Sequence, residues 1–169
     1  MKIRLGVTAL ALLSALALSG CTINLGGVTG SNANVSQGDT SGDVAQDLQN
    51  YASQISPLAS EENDILNRYG AVTGDNYTDD VTVYNALNSL VPDTNKYISE
   101  LESIYPETKT LQEIHAKYVD AWNKYSEAFQ LTMSALENQD RQTLAQANDR
   151  LAQARQLVID WQNDLKALK

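Results

Sequence analysis

Few side chains in this 169-residue chain could do chemistry, and the first to consider are His115 and Glu62. His115 is the only histidine and lies one heptad before Trp122 on a helical pattern, which is typical of a packing residue beside a core. Glu62 falls on the apolar spacing of its helix, where a buried carboxylate could hold a proton or a cation. We favour a helix that turns slightly after Pro57 and leaves Glu62 solvated, because unpaired carboxylates are rarely buried.

Tyrosine is the unusual part of the composition, with eight residues against a single phenylalanine. Tyr84, Tyr118 and Tyr125 lie on or beside inferred helix seams, where they could line a polar pocket or a partner-binding groove. Because a buried phenol needs a hydrogen-bond partner, we expect these rings at the rim of the core with their hydroxyls reaching water. They join Glu62 and His115 as the candidate ligand or partner residues.

Several established site patterns are missing from the sequence. A di-metal carboxylate bundle needs two Glu-x-x-His motifs, and Glu113-x-His115 has the wrong spacing. His115 and Met133 cannot ligate one haem within a chain, because 18 positions on one helix span about 27 Å at 1.5 Å per residue. No Gly-x-Ser-x-Gly motif or calcium loop occurs. We therefore expect no enzyme, no cofactor and no bound metal.

The first 21 residues carry the most specific pattern in the chain. Two basic residues precede an apolar run of 14 residues, 5–18, which is shorter than the roughly 18–20 that a bilayer-spanning helix needs. The run ends in Leu18-Ser19-Gly20-Cys21, which resembles the lipobox of bacterial lipoproteins. That resemblance implies cleavage of a signal peptide, residues 1–20, and attachment of diacylglycerol to the Cys21 thiol.

The resemblance implies a location and a membrane partner rather than an activity. Two or three acyl chains hold a protein stably on a membrane, so the domain would be anchored outside the cytoplasm without spanning the bilayer. In an organism with two membranes, Thr22 after the cysteine resembles the signal for the outer membrane. With one membrane, the anchor would lie in the outer face of the cell membrane.

The mature chain is strongly acidic. Processing would remove Lys2 and Arg4 and no acid, which takes the net charge from −9 to −11. Such a domain repels phosphate backbones, and its basic residues form no stripe, so we expect no nucleic-acid binding. Cys21 is the only cysteine, and its lipidation leaves no thiol for a disulfide or a metal site within one chain.

The rest of the chain divides into a tether and a helical domain. Residues 21–42 comprise the lipidated cysteine and a segment rich in Gly, Asn, Ser and Thr, which predicts a disordered tether. From residue 43 the apolar spacing predicts four helices, at about 43–69, 78–105, 108–137 and 140–168. Pro57 predicts a break near Ile55, and Pro92 predicts a kink in the second helix.

Short loops between helices of this length favour an all-α, up-down-up-down four-helix bundle over residues 43–169. In the alternative, the first segment splits at Pro57 and only the last three helices pack fully. The stripe predicted for the second helix is Tyr84, Leu87, Val91, Thr94, Ile98, Leu101 and Tyr105. The stripe predicted for the fourth is Leu144, Ala147, Leu151, Ala154, Val158, Trp161, Leu165 and Leu168.

These observations favour a lipid-anchored helical bundle with a binding, scaffolding or chaperone-like role in the cell envelope. Its partner would be another envelope protein. The alternative is a small-ligand or metal-binding bundle that uses a tyrosine-lined or acidic site. An interior pocket where tyrosines meet Glu62 would favour that alternative, and a filled interior would count against it. Self-association would be indicated by an exposed apolar strip on the fourth helix.

Overall fold

The computed structural model describes residues 39–168, and within that range it is all-α. Five helices follow in order: α1 Ser41–Ile55, α2 Ala59–Gly70, α3 Asp80–Glu102, α4 Lys109–Asn138 and α5 Arg141–Ala167. A single 3₁₀ turn, Ser56–Leu58, joins α1 to α2, and together these form the first leg of a four-helix bundle. The predicted signal peptide, Cys21 and most of the predicted tether lie outside the described residues.

Side-chain caps begin four of the five helices, since each cap accepts a hydrogen bond from an otherwise unpaired backbone N–H. The caps are Thr40 for α1, Asp79 for α3, Thr108 for α4 and Asp140 for α5. The Thr40 cap starts α1 two residues before the boundary expected from the apolar pattern. Gln139 adopts a left-handed conformation at the end of α4, which allows the tight turn into α5.

The two helical prolines have different effects. Pro57 lies in the 3₁₀ turn, where its missing N–H is harmless, and the predicted break after Ile55 is confirmed. Pro92 lies inside α3, which continues unbroken from Asp80 to Glu102. The first leg splits as the alternative bundle required, yet both of its halves contribute to the core, α1 through Tyr51 and Ile55 and α2 through Ile65 and Tyr69.

Side-chain pairs across the interfaces establish the up-down-up-down order. α2 runs antiparallel to α3, α3 to α4, and α4 to α5. At each interface, a later residue of one helix pairs with an earlier residue of the next. For α2 and α3 the pairs are Arg68–Asp93 and Glu61–Lys96. For α3 and α4 they are Asn95–Ser126 and Tyr84–Glu137, and for α4 and α5 they are Lys117–Asp164 and Glu127–Arg150. The first leg is therefore parallel to α4, and Tyr69 meets Phe129 across the bundle at 4.9 Å between ring centroids.

The buried face of α3 is shifted by one residue from the predicted stripe at several positions. Its buried residues are Val83, Leu87, Leu90, Thr94, Tyr97, Ile98 and Leu101. Tyr84 is only half-buried and Tyr105 is 80% exposed. The prediction that these two tyrosines form the ends of the buried stripe was therefore wrong. The observed row, at positions 83, 87, 90, 94, 97 and 101, alternates in steps of four and three residues, which is the spacing of one helix face.

The face predicted for α5 is confirmed along most of its length. Leu144, Ala147, Leu151, Ala154 and Trp161 are buried, while Val158, Leu165 and Leu168 are half-buried. The two alanines let the backbones of α4 and α5 approach closely. On its outer face α5 exposes Ile159. None of the described helices is both long enough and apolar enough to cross a membrane.

Candidate functional site

The core contains a chain of hydrogen-bonded polar side chains around His115, which is 6% exposed. Its Nδ1 lies 3.0 Å from the Tyr51 hydroxyl, and its Nε2 lies 3.0 Å from the Leu101 carbonyl oxygen. The Trp161 indole Nε1 donates to the same Tyr51 hydroxyl at 3.1 Å. This cluster, which we call the His115 network, therefore connects α4 to α1, α3 and α5.

The proton positions in the His115 network follow from its end groups. A carbonyl oxygen only accepts, so Nε2 of His115 carries the proton and donates to Leu101. In the neutral ring Nδ1 is then an acceptor, and the Tyr51 hydroxyl donates to it. The Tyr51 oxygen is left to accept from Trp161. The hydrogen bonds therefore run in one direction, from Trp161 to Tyr51 to His115 to the Leu101 carbonyl, and every polar hydrogen has an acceptor.

A second buried cluster adjoins the first. The hydroxyls of Tyr97 and Tyr118 lie 2.9 Å apart, and both side chains are completely buried. The Tyr118 ring stacks on Trp161, with centroids 4.0 Å apart and planes 12° apart. The Tyr97 ring packs against the Trp122 ring, with ring centroids 4.4 Å apart. Trp161 is thus shared between the two clusters, which together form a continuous aromatic layer across α3, α4 and α5.

Glu62 on α2 lies beside this tyrosine pair. Burial raises the pKa of Glu62, and the nearby Tyr118 hydroxyl lowers it in part. Burial also raises the pKa of Tyr97 and of Tyr118, and the charge of Glu62 adds to both effects. The buried indole N–H of Trp122 has no acceptor among the described residues. Glu62 is half-buried rather than solvated as we expected from the sequence, because its position on α2 turns it toward the tyrosine pair.

Burial favours the neutral forms of the core tyrosines and of His115. Burial raises the pKa of Tyr51, and it raises that of Tyr69 to about 12. Burial lowers the pKa of His115, and the Leu101 carbonyl counteracts only part of this effect. Both imidazole nitrogens are already occupied by internal partners. The arrangement is suited to holding protons and helices in place rather than to transferring a proton to a substrate.

Two carboxylates of the N-terminal segment cap α4 from outside that helix. Asp47, 2% exposed, accepts from both the backbone N–H and the hydroxyl of Thr108, each at 2.7 Å. Asp39 accepts from the backbone N–H of Thr110 at 2.8 Å and from its hydroxyl at 2.9 Å. The Thr110 backbone hydrogen bond lowers the pKa of Asp39. Negative charge is favoured at this position because the start of a helix is the positive end of its dipole.

The predicted site residues divide into three groups in the structure. Glu62 and Tyr118 come together, and the mostly buried Tyr125 is close enough that the Glu62 charge helps to raise its pKa. His115 belongs to the neighbouring network. Tyr84 lies apart on the surface, where its hydroxyl donates to Glu137 at 2.5 Å.

The expectation that the tyrosine hydroxyls reach water was wrong for Tyr118, because its partners lie inside the core. Sequence reasoning also missed the roles of Tyr97, Trp161 and Asp47. Tyr97 lies in the buried row of α3, which a neighbouring and nearly equally apolar row obscured in the sequence. The Tyr51–Trp161 hydrogen bond could not, since it joins residues 110 positions apart.

A shallow groove of about 420 Å³ opens on the outer surface between α3 and α4. Its lining residues are Asn95, Asn123, Ser126, Glu127, Gln130 and Leu131, so neither the tyrosine cluster nor Glu62 contributes to it. The interior beside Glu62 is occupied by large, fully buried aromatic side chains. This filled interior counts against the small-ligand alternative.

No group of three or more potential metal ligands occurs among residues 39–168. The chain was also compared with known proteins. No protein-family model, curated protein or solved structure matches it. Its function must therefore be inferred from its own residues.

Proposed function

We propose that this protein is a lipid-anchored domain of the cell envelope that acts by binding or scaffolding on the extracytoplasmic side of a membrane. The observation that carries the proposal is the Leu18-Ser19-Gly20-Cys21 motif at the end of an apolar run. The fold is compatible with it, since the helices of the described domain lack a candidate membrane span. The lipid on Cys21 would then be the attachment to the membrane.

The filled core supports a role for the outer surface. Its largest buried side chains are Trp122, Trp161, Tyr51, Tyr97 and Tyr118, which bond to or pack against one another. A partner would therefore meet helix faces and loops rather than an internal cleft.

The charge of that surface indicates the kind of partner. Many of the basic side chains are engaged with carboxylates, as Lys96 is with Glu61 and Glu100. The excess of acids in the whole chain, 21 against 12 basic residues, is left to give a negative field. Such a field speeds association with basic surfaces. We therefore propose another envelope protein with a basic contact surface as the partner.

Lipidation is tested by Cys21→Ser in the native organism, with Ser31→Ala as a matched control outside the motif. We expect the cysteine variant to remain unprocessed or to leave the membrane fraction, and to incorporate no labelled fatty acid. The control should be processed, labelled and retained like the unchanged protein. Normal signal removal together with unchanged membrane retention of Cys21→Ser would refute the anchor.

The partner is tested by crosslinking in intact cells, followed by mass spectrometry of the covalent products. We expect one defined envelope protein, whose crosslinks map to acidic faces of the bundle and weaken as the salt concentration rises. Crosslinks distributed among many proteins in proportion to their abundance would contradict a binding role.

A further inference from the structure

The His115 network is complete in only one protonation state of the imidazole. With Nδ1 unprotonated, the Tyr51 hydroxyl donates to His115 and its oxygen accepts from Trp161. If Nδ1 gained a proton, two hydrogens would point at each other along the 3.0 Å contact between Nδ1 and the Tyr51 oxygen. The Tyr51 hydroxyl would have to rotate away, and a side chain that is 1% exposed offers its hydrogen no access to water.

We propose that His115, Tyr51 and Leu101 form a protonation-sensitive latch, the His115 latch, which holds α1 against the bundle at neutral pH and releases it in mild acid. Protonation costs the network a satisfied hydroxyl and creates a buried cation at the same time. Both penalties disappear when α1 moves away, because Tyr51 and His115 then reach water.

The ionisable groups on the surrounding elements do not stabilise a cation at His115. On α1, the carboxylate of Asp47 is bonded to Thr108. On α3, Glu102 follows Leu101 but is exposed. Asp164 on α5 is paired with Lys117 of α4 at 2.6 Å. The nearest hydroxyls of the second cluster, Tyr97 and Tyr118, are neutral phenols bonded to each other.

The sign of the pH dependence follows from the lowered pKa of His115 in the fold, compared with its ordinary value of 6.5. Above that ordinary value both the folded and the opened forms hold a neutral ring, and the latch contributes its full stability. As the pH falls, the opened form binds a proton first, so stability is lost until the pH passes the lowered pKa of the folded form.

The loss of stability in acid would detach α1 from the bundle before any other helix. α1 buries only Asp47, Tyr51 and Ile55, whereas α4 buries twelve residues. The 3₁₀ turn at Ser56–Leu58 separates it from α2, so α1 can open without disturbing the rest of the first leg. Segments with few buried contacts open locally at a lower free energy than the whole domain.

The latch is tested by amide hydrogen exchange on the full chain between pH 7.5 and 5.5, with rates converted to protection factors. We expect protection of the α1 amides to fall by up to about tenfold per pH unit below roughly 6.5, while the α5 amides keep theirs. In His115→Gln the α1 protection should be independent of pH over this range. In Asp47→Asn the pH response should persist, since that carboxylate is not the sensor.

NMR titration of the single imidazole gives a second readout that needs no variant. We expect His115 to titrate below 6.5, with α1 resonances shifting over the same range. Titration at or above 6.5, equal loss of protection in α1 and α5, or an unchanged acid response in His115→Gln would each overturn the latch.

Discussion

Replacing Tyr51 with phenylalanine removes one oxygen atom and leaves two buried groups without a partner. The Trp161 N–H loses its acceptor and the His115 Nδ1 loses its donor. A buried polar group without a partner costs about 1–3 kcal/mol, so we expect Tyr51→Phe to lower the free energy of unfolding by about 2–4 kcal/mol. For a domain of this size the melting temperature should fall by roughly 10 °C.

Tyr97→Phe is the matched control, because it deletes the same atom from an equally buried ring. It affects a single hydrogen-bond partner, Tyr118. The expected loss is about 1 kcal/mol. Both variants are measured by urea denaturation followed by circular dichroism, and an unchanged m-value shows that the same surface unfolds. Equal losses for the two variants would refute the assignment of two unpaired groups to Tyr51.

Two further predictions concern other parts of the core. Because the pKa of Glu62 is raised in the fold above its ordinary 4.5, its charged form destabilises the protein at neutral pH. Glu62→Gln should therefore raise the urea midpoint at pH 7. This gain should disappear as the pH falls below about 4.5, where Glu62 is protonated in both the folded and the unfolded state. A gain that persists at pH 4 would contradict this explanation. Ala154 is completely buried between α4 and α5, so Ala154→Leu should cost about 1–3 kcal/mol through overpacking, whereas Ala152→Leu on the exposed face should leave the melting temperature within a degree or two.

Local sequence signals were sufficient to predict the architecture. The spacing of apolar residues on α5 needs no tertiary information, since its buried positions alternate at three and four residues from Leu144 to Trp161. Pro57 marks a break because its ring restricts the backbone and removes an N–H. Asp140 marks a helix start because its carboxylate accepts from the Gln142 N–H. α2 ends at Gly70, where the sequence predicted it to end.

The candidate site depends on helix rotation, which local patterns do not determine. On α3 two neighbouring rows of residues are nearly equally apolar, and only packing against Trp122 selects the row that buries Tyr97. Asp47 resembles a polar interruption in the pattern of α1, although it is buried because the start of α4 supplies its donors. Interactions of this kind exist only after distant segments have met, so a sequence pattern cannot reveal them.

The bonds from Asp39 to Thr110 also determine which end of the bundle is nearer to the N-terminal segment. That end carries the turn between α3 and α4, with its exposed Tyr105, and the last residues of α5. If Cys21 carries the proposed lipid, the predicted tether joins the bundle at this end. The turns after α2 and α4 lie at the opposite end, about 45 Å away, the length of the 30-residue α4. A partner approaching from the opposite side would meet the acidic loop at residues 71–79 first.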